Sequence, residues 1–190
     1  ATTMSITFAS DQSGSSFLCS LDSAVASACS SPMNYSTLGN GSHTFKVSAV
    51  NASGVKEPVG AQYTWTIDSV PPSVTITNAG TLPLATNSTA ISLQFTASET
   101  SNFLCSIDGG ASTACSSPMA YTGLLEGTHS VSITAIDSVG NVSANPAVFQ
   151  WSIDITAPIA SFMNIVPAGS STNATAASFI FAANETSTFE

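Results

Sequence analysis

The chain has 190 residues, two basic side chains, eleven acidic side chains and a formal net charge of −9 at pH 7. With so few Lys and Arg residues it cannot neutralise rows of phosphates, which excludes nucleic acid and anionic membranes as partners. No apolar run is long enough to span a bilayer, so we expect no membrane insertion within these residues. The regular recurrence of aliphatic and aromatic residues argues against disorder.

Alternating apolar and polar residues predict short strands along the whole chain, and no segment has helical periodicity. In chain order, the predicted strands and hairpins cover residues 4–8, 17–29, 43–49, 63–67, 73–77, 91–97, 103–115, 119–122, 128–137 and 147–153. The most complete stretch holds about seven short strands separated by turn residues, which is typical of a β-sandwich. The predicted fold class is therefore all-β.

The sequence repeats itself with a period of 86 residues. Cys19, Cys29, His43, Trp65 and Asp68 return as Cys105, Cys115, His129, Trp151 and Asp154, and Asn87, Phe95 and Phe103 return as Asn173, Phe181 and Phe189. A fixed period of this kind indicates an array of modules. We predict three domains: residues 1–68, a first module that lacks its first strand; residues 69–154, a complete second module; and residues 155–190, the opening strands of a third.

Two segments with the same Cys spacing, 17–29 and 103–115, predict hairpins closed by disulfides. A three-residue loop at 109–111 places Cys105 opposite Cys115, where the two Cβ atoms come close enough for a disulfide. Four Cys in two identically spaced pairs are more typical of disulfides than of free thiols. We predict the bridges Cys19–Cys29 and Cys105–Cys115, and hence an oxidising, extracellular or cell-surface location.

These motifs resemble a known family. Residues 105–158 read CSIDGGASTACSSPMAYTGLLEGTHSVSITAIDSVGNVSANPAVFQWSIDITAP, which is similar to the tandem bacterial Ig-like (Big-type) repeat modules of large secreted and cell-surface, adhesin-like proteins. The resemblance implies immunoglobulin-like β-sandwich modules of about 86 residues, strung together as a stalk or spacer. The first copy departs from the pattern, since Asn51 and Val55 stand where the second copy has Asp137 and Asn141.

The two histidines and two tryptophans are predicted to be structural. His43 and His129 begin inward-facing strands, where the imidazole can cap the core and hydrogen-bond to the backbone. A catalytic histidine needs convergent partners, and the sequence offers neither these nor a nucleophile-elbow motif. Trp65 and Trp151 fall on the inward faces of their strands. We predict core positions for both and no enzyme in this chain.

Oxygen-bearing residues collect near the predicted module junctions. Asp68 and Asp154 end the last strand of each copy, Asp137 and Asn141 lie in the turn before that strand, and Glu99 follows an earlier strand. Such a set suits Ca²⁺, although the two terminal aspartates could instead only accept hydrogen bonds in the turn ahead of the Pro linker. No other cofactor is expected, and zinc is disfavoured because the Cys residues form disulfides.

Seven Asn-x-Ser/Thr sequons occur in the chain. Two of them, Asn87 and Asn173, occupy the same loop position in successive copies, which marks both as candidate glycosylation sites.

Three functions fit the sequence. The first is a non-catalytic extracellular structural or adhesive protein, a stalk or spacer whose partners are neighbouring modules, like subunits and an unidentified surface ligand. The second is a subunit of an extracellular filament, in which a C-terminal segment containing Ala177, Phe179 and Phe181 completes the first module of the next subunit by strand addition. The third is an accessory carbohydrate-binding or spacer module of a secreted hydrolase.

Overall fold

The structure, a computed structural model, describes residues 3–166, 168, 171 and 173–189. Regular structure in these residues consists of β-strands and one 3-10 turn, Ala79–Thr81. The strands are β1 (Met4–Ile6), β2 (Ser16–Leu21), β3 (Ser27–Cys29), β4 (Met33–Tyr35), β5 (Gly41–Val50), β6 (Ala61–Ile67), β7 (Val74–Ile76), β8 (Ala85–Thr86), β9 (Ile91–Leu93), β10 (Phe95–Ala97), β11 (Ser101–Ile107), β12 (Thr113–Cys115), β13 (Met119–Tyr121), β14 (Gly127–Asp137), β15 (Ala147–Ile153), β16 (Ala160–Val166) and β17 (Ser178–Ala183). The predicted all-β class is confirmed.

The chain forms two compact units. The first comprises Ala1–Val74, Ala97–Phe103 and Thr134–Asn145, and the second comprises Thr75–Thr96, Leu104–Ile133 and Pro146–Glu190. Each unit is therefore built from three separate segments of the chain. The predicted module boundaries after residues 68 and 154 stay a prediction.

A four-stranded and a two-stranded sheet form a sandwich in the first unit. The larger sheet has the order β3-β2-β5-β6, and β1 pairs with β4 in the smaller one. Cys19, Phe45 and Val47 are buried at the centre of this sandwich. Residues from both sheets pack against them, together with Phe8, which follows β1: Ile6, Phe17, Cys29, Met33, Tyr35 and Trp65. Burying a side chain such as Phe45, which is 2% exposed, contributes roughly 1.5–3 kcal/mol of transfer free energy.

A five-stranded sheet with the order β12-β11-β14-β15-β8 carries a second group of buried residues. β14 pairs antiparallel with β15, and the short strand β8 runs parallel to β15 at the sheet edge. Alternate residues of β14 and β15 are buried, as their period-2 pattern predicts: His129, Val131, Ile133, Ala135, Asp137, Phe149, Trp151 and Ile153. Smaller sheets pair β9 with β13 and β7 with β10.

The strand predicted over residues 91–97 is divided in two. β9 pairs with β13 and β10 pairs with β7, so the chain changes sheets at Gln94. At the break, the Gln94 N–H donates to the Asn78 side-chain oxygen (2.9 Å) rather than to a neighbouring strand. Leu93 and Phe95 remain buried on either side of the break, which is why the alternation in sequence runs through it without interruption.

The Cys hairpins form both predicted disulfides, but the predicted pairing register is wrong in the hairpin where the register is defined. Cys19 bonds to Cys29 and Cys105 to Cys115, each with a Cα–Cα distance of 5.8 Å. Between β2 and β3, however, Cys19 lies opposite Ser27, and Cys29 lies opposite Phe17. The cysteines are therefore diagonal neighbours rather than directly opposed residues.

The turn of each hairpin explains the shift in register. The predicted three-residue loop at 109–111 would set Asp108 opposite Ser112. Instead, the Gly110 N–H donates to the Ile107 carbonyl (2.9 Å), and the Asp108 N–H donates to the Ser130 carbonyl of β14 (2.8 Å). The Asp22 N–H donates in the same way to the Thr44 carbonyl of β5 (2.7 Å). Each aspartate has a positive φ, 54° at Asp22 and 51° at Asp108, which closes the turn one residue earlier than predicted.

β16 and β17 form a two-stranded antiparallel sheet with a register shift between Phe162 and Asn164. Its large apolar side chains are exposed: Phe162, Met163, Ile165, Val166, Phe179, Ile180 and Phe181. The pair β7–β10 is comparable but differs in burial, because its side chains Ile76 and Phe95 are buried. β16 and β17 thus have a strand pairing of the same kind but no buried core of their own.

Candidate functional site

The buried histidine of the five-stranded sheet has a hydrogen-bond acceptor at each ring nitrogen. His129 Nδ1 lies 2.8 Å from Asp108 Oδ2, and His129 Nε2 lies 2.9 Å from the Leu125 carbonyl oxygen. The other carboxylate oxygen of Asp108 accepts the Ser130 N–H (2.8 Å). His129 is 8% exposed and its ring packs against Trp151, with ring centroids 5.5 Å apart. We call this set of contacts the histidine bridge.

Both contacts can be hydrogen bonds only when both ring nitrogens carry a proton, because a carboxylate and a carbonyl can only accept. The Leu125 carbonyl and then Asp108 raise the pKa of His129 above its ordinary value of 6.5. In return, His129 is the main cause that lowers the pKa of Asp108 below 3.8. With both ring nitrogens protonated, the bridge is an imidazolium–carboxylate pair that ties the hairpin turn and the 122–126 loop to β14.

The first unit contains the same bridge. His43 Nδ1 lies 3.0 Å from Asp22 Oδ2, His43 Nε2 lies 2.9 Å from the Gly39 carbonyl, and Asp22 Oδ1 accepts the Thr44 N–H (2.8 Å). The Gly39 carbonyl and then Asp22 raise the pKa of His43. Both aspartates were missed by sequence reasoning, although each stands 21 residues before its histidine in both copies.

These contacts leave neither histidine available as a general base. A base needs a ring nitrogen with a free lone pair, and each ring nitrogen here faces an acceptor. Among the described residues, no serine hydroxyl is bonded to either imidazole. The geometry supports the predicted backbone contact of the two histidines and gives them a structural role.

A second feature is a group of carboxylates in the first unit. Asp68, Glu99 and Asp137 each place an oxygen within 4.8 Å of the others, and Asn141 Nδ2 donates to the Asp68 carbonyl (3.3 Å). Four of the five residues predicted from sequence are therefore brought together. The donor set is one that suits Ca²⁺, and calcium binding stays a prediction.

Asp137 has a structural role in the same place. Its Oδ1 accepts the N–H groups of Val139 (2.9 Å) and Asn141 (2.8 Å), and its Oδ2 accepts from Asn141 Nδ2 (2.7 Å). Burial acts to raise the pKa of Asp137, but these bonds and one from Gly140 outweigh it, so that the net shift is downward. In the first copy Asn51 Oδ1 accepts the N–H groups of Ser53 and Val55 in the same manner.

Replacing Asp137 by asparagine tests how this turn is held. Asp137→Asn preserves Oδ1 but sets an amide NH₂ against the NH₂ of Asn141, so we expect the melting temperature to fall by several degrees. The double variant Asp137→Asn/Asn141→Val reproduces the Asn51–Val55 pair, which has no such clash, and should recover most of the loss. Thermal unfolding followed by circular dichroism measures both. Equal losses in the single and double variants would contradict the account.

The remaining predicted site residues lie elsewhere. Asp154 is outside the carboxylate group, and its Oδ1 accepts the Thr156 N–H (3.1 Å), just as Asp68 Oδ1 accepts the Val70 N–H (3.0 Å). Both terminal aspartates thus make the turn contact that was the alternative to metal binding. Asn87 and Asn173 are exposed, and their glycosylation stays a prediction.

The two tryptophans differ in burial. Trp151 is 2% exposed and belongs to the core, as predicted. Trp65 is only half-buried, and Tyr63, two residues before it on the same face of the strand, is 53% exposed and stacks on it with ring centroids 5.9 Å apart. The counterpart of Tyr63 is Phe149, which is 6% exposed. The first unit therefore presents an aromatic pair that the other sheet buries.

No protein-family model matches the sequence, and comparison with curated proteins finds no match. Among solved structures, the chain is similar to fibronectin(III)-like modules of Clostridium thermocellum CbhA, at 18% identity and a TM-score of 0.39, over 80% of this chain and 84% of that one. It is also similar to a 1.5-MDa bacterial ice-binding adhesin, at 15% identity and a TM-score of 0.40, over 84% of this chain and 60% of that one. Neither likeness is close enough to carry an argument about function.

The described residues contain no helix with the length and hydropathy needed to cross a membrane.

Proposed function

We propose that this chain is a non-catalytic extracellular structural protein, a stalk or spacer of immunoglobulin-like modules at a cell surface. The observation that carries the proposal is the duplication of one stabilising device. Each of the two units contains a disulfide-closed hairpin whose turn aspartate is hydrogen-bonded to a histidine of the neighbouring strand. Duplicated scaffolding of this kind maintains a shape, and both histidines are committed to it.

Two further features support an extracellular role. Disulfides persist in oxidising compartments, and all four cysteines are disulfide-bonded. In addition, the chain has only two lysines and no arginine, so that residues 57–190 contain no site for trypsin-like proteases. A surface-exposed spacer gains durability from both properties.

Limited proteolysis tests the second feature. Lys46 lies in the central strand β5, paired with Ser20 and Gln62 on its two sides, whereas Lys56 is exposed beyond the strand. We expect native protein treated with trypsin to be cut after Lys56 at most, leaving residues 57–190 intact by mass spectrometry. Lys56→Gln should remove this cut and serves as the control. Cleavage after Lys46 in native conditions would contradict the protection of β5.

A second candidate function, a filament subunit, is favoured by the β16–β17 sheet. Phe162 is 65% exposed, and Phe179 and Phe181 are 55% and 49% exposed. Exposed apolar strands of this kind are a template for pairing with another chain. In the structure β17, which contains Phe179 and Phe181, pairs with β16 of the same chain, and Ala177 directly precedes it. Its role as a donor strand stays a prediction.

A carbohydrate-binding module is the third candidate, and the exposed stacked pair Tyr63 and Trp65 is the observation that favours it. Aromatic faces of this type can stack on sugar rings, although the described pair consists of one exposed and one half-buried ring.

Negative-stain electron microscopy of native material, combined with intact mass on the same sample, separates the first two functions. Beaded rods of covalent mass far above 19.2 kDa are the expected result for a stalk. Regular fibres that dissociate into subunits of about that mass would overturn the stalk and support the filament. Binding to a glycan array that is lost in Tyr63→Ala would support the third function instead.

A further inference from the structure

The histidine bridge of the five-stranded sheet holds a loop, residues 122–126, in place. Within this loop Leu124 is half-buried, and its N–H donates to the Thr89 carbonyl (3.0 Å). The next residue, Leu125, is 79% exposed, and its carbonyl oxygen lies 2.9 Å from His129 Nε2. Leu124 therefore anchors the loop by packing and by its own hydrogen bond, whereas Leu125 is held through the imidazole.

The same loop contacts the segment that follows β15. The Thr156 hydroxyl donates to the Glu126 carboxylate, with Oγ1 at 3.0 and 2.8 Å from the two carboxylate oxygens. Gly127 comes next and has a φ of 133°, a conformation that favours glycine and lets the backbone turn between the loop and β14. A loss of the contact at Leu125 would therefore extend to its neighbour Glu126, and through it to the segment after β15.

The first unit repeats this arrangement with different side chains. The Gly39 carbonyl oxygen lies 2.9 Å from His43 Nε2. The next residue, Asn40, contacts the segment that follows β6, because its Oδ1 accepts the N–H (3.0 Å) and the hydroxyl (2.8 Å) of Ser69. Asn40 is neutral and its counterpart Glu126 is charged, so the feature that recurs is the contact and not the charge.

When the His129 ring loses one proton, a single N–H remains for two acceptors. Asp108 retains this N–H, because a carboxylate is a stronger acceptor than a neutral carbonyl. The turn that carries Asp108 is also fixed independently, since its N–H donates to the Ser130 carbonyl and its Oδ1 accepts the Ser130 N–H, both at 2.8 Å. Nε2 then directs a lone pair at the Leu125 carbonyl oxygen, and two acceptors 2.9 Å apart repel each other.

The groups around the ring determine the direction of the pH dependence. Besides the carbonyl that faces Nε2, the titratable group that acts on the pKa of His129 is Asp108. Glu126 in the loop, Tyr121 on β13 and Asp154 after β15 are the other titratable groups on the described elements nearby, and none of them contributes to the shift. Because the pKa is raised above 6.5, the loop contact is present below pH 6.5 and is lost as the pH rises through the raised value.

We infer that the loops 122–126 and 36–40 are latches, that is, loops that open when the histidine bound to each of them loses a proton. In the closed state the imidazolium holds the loop carbonyl, and the next side chain holds the segment after the last strand. In the open state of the five-stranded sheet the loop moves away beyond Leu124 and releases Thr156, whereas the hairpin turn stays bonded to β14. The change is local and requires neither a stalk nor a filament.

Carbon-detected NMR of the whole ¹³C-labelled chain tests the latch, because it does not depend on exchangeable amide protons. As the pH rises from 5.5 to 9.5, we expect the Leu125 carbonyl signal to move upfield with the same midpoint as the ring carbons of His129. The ¹³C relaxation of Leu125 and Glu126 should report greater mobility over the same range. A constant Leu125 signal or unchanged relaxation while His129 titrates would overturn the inference, and so would a His129 ring that does not titrate in this range.

The variant Asp108→Asn identifies the group that sets the midpoint. Asparagine keeps an oxygen for the Nδ1 proton and tolerates the positive φ of this turn, but it removes the charge that favours the imidazolium. We expect the midpoint of the Leu125 signal to move to lower pH, while the Gly39 signal, which reports the latch of the first unit, keeps its own midpoint. Equal shifts of the two midpoints, or no shift of either, would refute the mechanism. If Asp108→Asn does not fold, the titration of the unmodified chain decides.

Discussion

Replacing Cys105 and Cys115 together by alanine should lower the free energy of unfolding by about 3 kcal/mol. The disulfide closes a loop with a sequence separation of 10, and most of its effect comes from restricting the unfolded chain. Cys105 is also 2% exposed, so the loss of its sulfur adds a small cavity. For a domain of this size the change corresponds to a fall in melting temperature on the order of 10 °C.

Urea unfolding followed by tryptophan fluorescence measures this loss, because Trp151 is buried in the same sheet. The matched variant Cys19→Ala/Cys29→Ala removes the other bridge and should leave the transition reported by Trp151 largely in place. Unmodified protein treated with a reductant should unfold like the alanine variants. An unchanged midpoint in Cys105→Ala/Cys115→Ala would show that the hairpin is held by its packing and hydrogen bonds alone.

The second expected result is a maximum of stability in mildly acidic solution. The folded pKa of His129 and His43 is raised above 6.5, so their contribution is fully present below pH 6.5 and is lost as the pH rises through the raised pKa. The folded pKa of Asp108 and Asp22 is lowered below 3.8, so their contribution is present above pH 3.8 and is lost as the pH falls through the lowered pKa. Stability should therefore be greatest between these two values.

Melting temperatures at pH 5.5 and pH 8.5 test this expectation, with a higher value by several degrees at pH 5.5. The double variant His43→Gln/His129→Gln removes both imidazolium groups and should abolish the difference. Lys46→Gln is the control, since it also removes a basic group but touches neither bridge. The same pH dependence in the double variant would mean that other groups are responsible.

The alternation of apolar and polar residues predicted those features of the fold that are determined within a single strand. The inward faces of β14 and β15 follow directly from alternation, because a strand with one buried face must place apolar residues at every second position. The two disulfides follow from identical spacing. The split at Gln94 does not, since Leu93 and Phe95 point inward on both sides of it and only the competing acceptor on Asn78 breaks the strand.

The histidine bridge shows why the candidate site was harder to predict. The register of the hairpin was predicted by counting residues in two strands only, β11 and β12. Asp108, however, bonds to a third strand, β14, through Ser130 and His129. The same aspartate has a positive φ and lies in the turn that closes one residue earlier than predicted. The recurrence of Asp22 as Asp108, at the same distance before each histidine, was the available signal. It acquires meaning only when β2 and β5, or β11 and β14, are known to be neighbours.

The disulfide-closed hairpins set a limit on how far the chain can be drawn out by force. When a sandwich is pulled open, tension passes through the sulfur–sulfur bond, and the residues between the two cysteines carry no load. Each bridge replaces a ten-residue path with a 5.8 Å span between Cα atoms. At about 3.5 Å per extended residue, each disulfide shortens the fully extended chain by roughly 30 Å. A string of such modules would therefore act as a tether of fixed maximum reach, and its reach would grow only in a reducing environment.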